Sequence, residues 1–239
     1  MTSLREVRGQ TAAVERLEHL LHTQRFPHAL LIEGPEGVGK MRAARILAKI
    51  LLCRAPRDRI EPCESCSSCR KVEAGTHADM SFVTTDDRSI KVDEIREAEK
   101  LFRLRAVEGG RKVLVFEAAH RMTLGAQNAL LKTLEEPNGK ACIILTASRV
   151  RWLLPTVVSR CQRLPFRPIP DAELAAILVE EDGLDPARAR WIAALAQGSL
   201  GNTRSAAGAG PPRRARYTSA RRASSVGEKA QSTAPCAGV

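Results

Sequence analysis

Aromatic side chains are scarce in this 239-residue chain, at 3%, with one tyrosine and two tryptophans. Recognition of unpaired bases by stacking them on aromatic platforms therefore has little to draw on. There is no run of the roughly 18 consecutive apolar residues that a membrane span requires. The N-terminus, MTSLREVRGQ, lacks the apolar core of a signal peptide, so a cytoplasmic protein with no membrane partner is expected. Cysteine is also sparse, seven in all, and four of the seven fall between residues 53 and 69. What is plentiful is aliphatic: 44% of the chain is hydrophobic, mainly Ala, Val, Ile and Leu, over a length that suits one large or two modest domains.

The formal net charge is +11, and its placement matters more than its sum. Residues 199–239 hold seven Lys or Arg against one Glu, so more than half of the excess lies there and the body is only mildly basic. Residues 204–239, rich in Gly, Ala, Ser, Pro and Arg, have almost nothing to bury and are expected to be disordered.

Strand and helix periods alternate along the body. Val14, Leu17, Leu20 and Leu21 sit at helical spacing within 10–25, ALLIE at 29–33 is a short apolar run ended by glycine, and MRAARILAKILLC places Ile46, Leu47, Ile50 and Leu51 on one side. Strands are expected at 80–84, 112–117 and 142–147, and helices at 91–105 and 124–135. This pattern predicts an α/β fold with a parallel sheet covered by helices. Past Pro165 the chain turns helical, with one helix capped by Asp171 and a second over 186–197 ending at Gly198. The expected division is a nucleotide-binding-like domain at 1–166, a small helical lid domain at 167–203 and the tail at 204–239.

Residues 34–41 read GPEGVGKM. Gly34, Gly37 and Gly39 let successive backbone N–H groups turn toward phosphate oxygens, the following helix adds its N-terminal dipole, and Lys40 adds a point charge. A strand before and a helix after supply the context that a phosphate loop needs. Hydrolysis asks for more: a Ser or Thr hydroxyl and an acid at the end of a later strand to hold Mg²⁺, and a residue to activate water. Met41 stands where the hydroxyl belongs. The later strand, KVLVFEAAH, ends in Glu117, which either touches a metal or only ends the strand, and is followed by Ala118 where a water-activating Glu would sit. Binding of ATP or ADP is open, Mg²⁺ is not expected, and negligible ATP hydrolysis by the isolated chain is.

Cys63, Cys66 and Cys69 lie at two-residue gaps, and Cys53 precedes them by ten positions. Closely spaced thiols of this kind reach one tetrahedral Zn²⁺ while a fourth closes its shell, which makes the expected site structural rather than catalytic. Free buried cysteines or a redox pair are the alternatives. Cys142 and Cys161 read as small buried residues.

RFPHALLIEGPEGVGK, the cysteine cluster that follows it, NALLKTLEEP at 128–137 and VVSRC at 157–161 together resemble the bacterial DNA polymerase III clamp-loader ATPases over residues 5–203. The resemblance implies an AAA+ fold carrying a zinc-binding insertion at 53–69 and a helical lid. Two branches compete, the hydrolysing gamma/tau subunits and the delta-prime subunits with degenerate nucleotide chemistry, and Met41 and Ala118 favour the second. It further implies that Arg160, in SRC, enters a neighbouring subunit's site as an arginine finger, the alternative being a surface salt-bridge arginine. Thr146 would be a polar sensor at a strand end, though a capping threonine looks the same. Gly198-Ser199-Leu200 resembles the start of a second sensor motif. The implied partners are gamma/tau and delta subunits within the polymerase III holoenzyme and, through that complex, the sliding clamp and primer-template DNA. Family members continue into a helical collar domain, which the Arg/Ala/Gly/Ser composition after residue 203 cannot build; a truncated or out-of-frame reading of GC-rich DNA would produce such a composition. Two other readings remain: an active clamp-loading ATPase, and a DNA-binding protein acting through its basic tail.

Overall fold

In the computed structural model, residues 3–84, 88–108, 110–136 and 140–206 are described, and the side chains of 204–206 are not among them. Most of the expected disordered tail, together with Cys236, therefore lies outside the described residues. The order of elements is α1 (Thr11–His22), β1 (Ala29–Glu33), α2 (Lys40–Leu52), α3 (Ser67–Glu73), β2 (Met80–Val83), α4 (Val92–Arg103), β3 (Lys112–Phe116), α5 (Leu124–Glu135), β4 (Ala141–Ala147), α6 (Pro155–Val158), β5 (Gln162–Pro165), α7 (Asp171–Asp182), α8 (Pro186–Leu195) and α9 (Leu200–Ala206). The five strands form one sheet in the order β2-β3-β4-β1-β5, and every pairing is parallel.

Three central strands are buried along their whole length, as the unbroken apolar runs ALLIE, KVLVF and ACIILTA require of strands covered on both faces. Alternation then divides their side chains. Leu30, Ile32, Val113, Val115, Cys142 and Ile144 pack with α1 and α2 on one face. Leu31, Leu114, Phe116, Ile143 and Leu145 pack with α4 and α5 on the other. A third cluster, built from Ile169, Leu174, Ile177, Leu178 and Ile192, holds α7 against α8.

Three features depart from the sequence reading. Asp171 is the first helical residue of α7 rather than its cap: Pro170 occupies the cap position and no side chain bonds there, because proline's fixed φ already starts the helix. The helix expected to reach Gln197 ends at Leu195, and Asp185 caps its start by accepting from the N–H groups of Ala187 and Arg188. Short elements at 67–73, 155–158 and 162–165 had no periodic signature, since none spans more than two helical turns or four strand residues.

Candidate functional site

The phosphate loop connects the carboxyl end of β1 to α2, whose cap residue is Gly39. Gly34 passes so close to Phe166 that a Cβ there would collide with the Phe166 carbonyl. Gly37 has a φ of +75° and touches the start of α9: a Cβ would overlap Ser199 Oγ and lie 2.7 Å from the Gly201 nitrogen. The Leu200 N–H donates to the Gly37 carbonyl at 3.1 Å. The Lys40 ammonium is buried and folds back on the loop, donating to the carbonyls of Gly34 (2.8 Å) and Pro35 and to Ser148 Oγ (3.2 Å). Burial lowers its pKa to about 8, with Glu36 pulling weakly the other way.

Beside the loop lies a small cavity whose lining mixes apolar residues, among them Val7, Val38, Ile177 and Leu200, with the charged Glu6, Arg8, Arg42 and Glu181. The packing of α9 on Gly37 covers this side of the loop.

Met41 is half-buried and packs against the core shared by α1 and α2. Glu117 follows β3, and Ala118 adopts a left-handed conformation at φ 53°, unusual for a residue with a Cβ. Thr146 explains how that turn is held: its buried hydroxyl accepts from the Ala118 N–H at 3.1 Å and donates to the Phe116 carbonyl at 3.3 Å.

Arg160 stands between α6 and β5. Because β5 runs parallel to β1 with Gln162 beside Leu30 and Pro165 beside Glu33, residue 160 precedes the amino end of the sheet, whereas Gly34 to Lys40 follow its carboxyl end. The length of β5 alone separates the two by more than about 10 Å at 3.3 Å per strand residue. Arg160 Nη1 donates to the Thr156 carbonyl at 3.0 Å, and Nη2 meets Glu135 Oε1 at 2.5 Å. Arg160 thus forms a surface ion pair with Glu135.

Sequence reasoning missed Gln127. Its Nε2 donates to the carbonyls of Met122 and Trp152, each at 3.1 Å, and its Oε1 accepts from the Leu154 N–H at 2.6 Å. One buried amide therefore ties the start of α5 to the segment that leads into α6 and Arg160. The signal available was a glutamine on the apolar stripe of α5, three and seven residues before Leu130 and Leu134.

The four cysteines converge. The sulfurs of Cys53, Cys63, Cys66 and Cys69 all lie within 4.8 Å of one another, with Cys53 and Cys66 4.0 Å apart and Cys63 and Cys69 likewise 4.0 Å. A tetrahedral Zn²⁺ with bonds of about 2.3 Å sets sulfurs about 3.8 Å apart, so the donor set fits. Backbone N–H groups of Cys63, Cys66 and Cys69 donate to the sulfurs of Cys53, Cys63 and Cys66 at 3.3 to 3.4 Å, which favours thiolate. The Cys66 N–H leads in drawing the Cys63 thiol down to about 6, while burial pushes Cys69 up, the direction a bound dication would reverse. Buried Lys49 of α2 fastens the cluster to the body through Glu64 (2.6 Å) and Glu73 (2.9 Å).

A family model described as DNA polymerase III, delta subunit, matches residues 9–170. The chain belongs to this family of clamp-loader subunits. It is of the delta-prime type and related to gamma/tau. It is 38% identical over 184 residues to DNA polymerase III subunit delta' of Bacillus subtilis (strain 168), covering 77% of this chain and 55% of the relative. Against subunit tau of the same organism the identity is 36% over 165 residues, or 69% of this chain and 29% of tau. This delta-prime-type chain thus spans about half the length of its delta' relative and less of tau. Its fold is that of the RuvB Holliday junction branch migration motor of Thermotoga maritima, at a TM-score of 0.59 and 18% identity, covering 85% of this chain and 62% of that one.

Proposed function

We propose that this chain is a non-hydrolysing clamp-loader subunit that supplies Arg160 in trans to the nucleotide of a neighbouring gamma/tau-type subunit. The observation that carries the reading is the opposition of Arg160 and the phosphate loop across the sheet. A guanidinium at the amino end cannot reach a triphosphate bound at the carboxyl end of the same sheet, so a triphosphate that meets Arg160 would be held by another chain. There it would stabilise charge developing on the transferred phosphoryl group, a contribution of about 10³- to 10⁵-fold in GTPases.

Met41 offers a thioether packed into the core where Mg²⁺ needs a hydroxyl, and Ala118 offers no carboxylate to activate water. ATP or ADP entering the cradle would have to displace Leu200 and Gly201 from Gly37. The loop's retained role is then structural, with Lys40 neutralising the loop's own carbonyls. Cys53, Cys63, Cys66 and Cys69 would hold a structural Zn²⁺, which supplies cross-linking of the 53–69 segment and no open coordination position. The remaining partners proposed are the delta subunit and, through the assembled complex, the sliding clamp and primer-template DNA.

The test is a reconstituted complex with gamma/tau-type and delta subunits, assayed for clamp loading and ATP turnover. Arg160→Ala is expected to cut turnover at the site it serves by about 10³-fold while assembly is unchanged, and the chain alone should turn over no ATP. Loading at undiminished speed after the charge is removed, with assembly intact, overturns the proposal.

A further inference from the structure

The backbone around Arg160 is pinned on both sides. Val157 and Cys161 are buried, the N–H groups of Arg160 and Cys161 donate to the carbonyls of Val157 and Val158 at 3.2 Å, and β5 begins at the next residue. The side chain is held as well, by the Thr156 carbonyl on Nη1 and by Glu135 on Nη2. Glu135 is the last residue of α5, a helix fixed to the core by Leu130 and Leu134 and to the approach of α6 by Gln127. The carboxylate is therefore presented to the arginine by a rigid element.

An exposed ion pair of this kind adds little to folding stability. Its consequence lies in orientation. A guanidinium carries five N–H donors in a rigid fork. The Thr156 carbonyl takes one and the Glu135 carboxylate lies against Nη2, leaving further donors for an incoming anion. An arginine with no such partners samples many rotamers, and that freedom is lost when it docks.

We propose that Glu135 is a positioning residue for Arg160: it holds the guanidinium in one rotamer, with its unused donors available, before the neighbouring subunit's triphosphate arrives. This rests on the reading of Arg160 as a donor in trans, and goes beyond it by assigning the pre-organisation to one carboxylate on α5.

Two measurements test it. In the isolated chain, labelled arginine side chains are followed by NMR. Arg160 should show slowed rotation about its Cζ–Nη bonds, lost in Glu135→Ala and partly kept in Glu135→Gln, which retains an acceptor without the charge. An Arg160 as mobile in the unaltered chain as in Glu135→Ala overturns the proposal. In the reconstituted complex, Glu135→Ala should lower kcat at the served site about two- to tenfold, the range expected for one side chain's lost ordering, with KM for ATP and the assembled fraction unchanged. In an Arg160→Ala background it should have no further effect. A kcat that is unchanged or raised, or a loss that persists in full without Arg160, overturns the positioning role. If Arg160→Ala itself leaves turnover intact, the donor reading fails and this inference with it, so the two failures are told apart.

Discussion

Replacing Gln127 with leucine keeps the side-chain volume and removes three hydrogen bonds at once. The groups left behind are the carbonyls of Met122 and Trp152 and the N–H of Leu154. Trp152 is half-exposed, so water can reach its carbonyl, but Met122 is 5% exposed and Leu154 is half-buried. Two stranded groups at about 1 to 3 kcal/mol each, offset by up to about 2 kcal/mol from burying leucine instead of an amide, leave a net loss of roughly 2 kcal/mol. At a urea slope of about 2 to 3 kcal/mol per molar, the unfolding midpoint should fall by close to 1 M with the slope unchanged. Gln127→Glu should be worse, because a carboxylate would face two carbonyls with no N–H to give them. Amide exchange at 152–154 should quicken more than in the rest of the sheet, since the tie between α5 and the approach to α6 is local. A leucine variant within about 0.5 kcal/mol of the parent would refute the assignment of Gln127 as the clamp.

Cys66→Ser should abolish stoichiometric Zn²⁺ in the purified chain, read by elemental analysis, and expose 53–73 to proteolysis while the β1, β3 and β4 ladder keeps its exchange protection. Lys40 carries a pH signature: its folded pKa of about 8 lies below the ordinary lysine value, so folding disfavours its proton. That penalty is fully present below pH 8 and is relieved as pH rises toward the unfolded value, so stability should gain between pH 8 and 10, and Lys40→Met should remove the gain when denaturation is followed across that window. Gly37→Ala should unseat α9 through its clash with Ser199 and Gly201, read as faster exchange at 199–203, with a folding cost of about 1 to 2 kcal/mol for the positive φ.

Much of the fold was legible because its signals are local. ALLIE, KVLVF and CIILTA are apolar runs too short for helices and too continuous for half-exposed strands, and the structure uses them as the buried centre of the sheet. Leu130 and Leu134 fell on the buried stripe of α5 at the spacing a helix dictates, with Leu131 partly buried beside them. The four cysteines were readable from spacing because three of them span barely two turns of chain. Less was legible where a residue's partner lies far along the sequence. Nothing in DAELAA says that Glu173 of α7 accepts from the Gly9 N–H at 2.7 Å, or that Arg167 and Gln10 exchange bonds at 2.7 and 2.9 Å. The Gln127 clamp and the Glu135 partner of Arg160 belong to the same class.

By itself, then, the amino-acid order marked the longer strands and helices and put a thioether at 41 and a methyl at 118, side-chain types that no fold can change. Only the tertiary structure decided direction: parallel pairing of β1 with β5 sends Arg160 and Lys40 to opposite ends of one sheet, and the packing of α9 on Gly37 covers the cradle. Side-chain type is a local property, whereas register and distance arise only when strands remote in sequence share one hydrogen-bonded ladder.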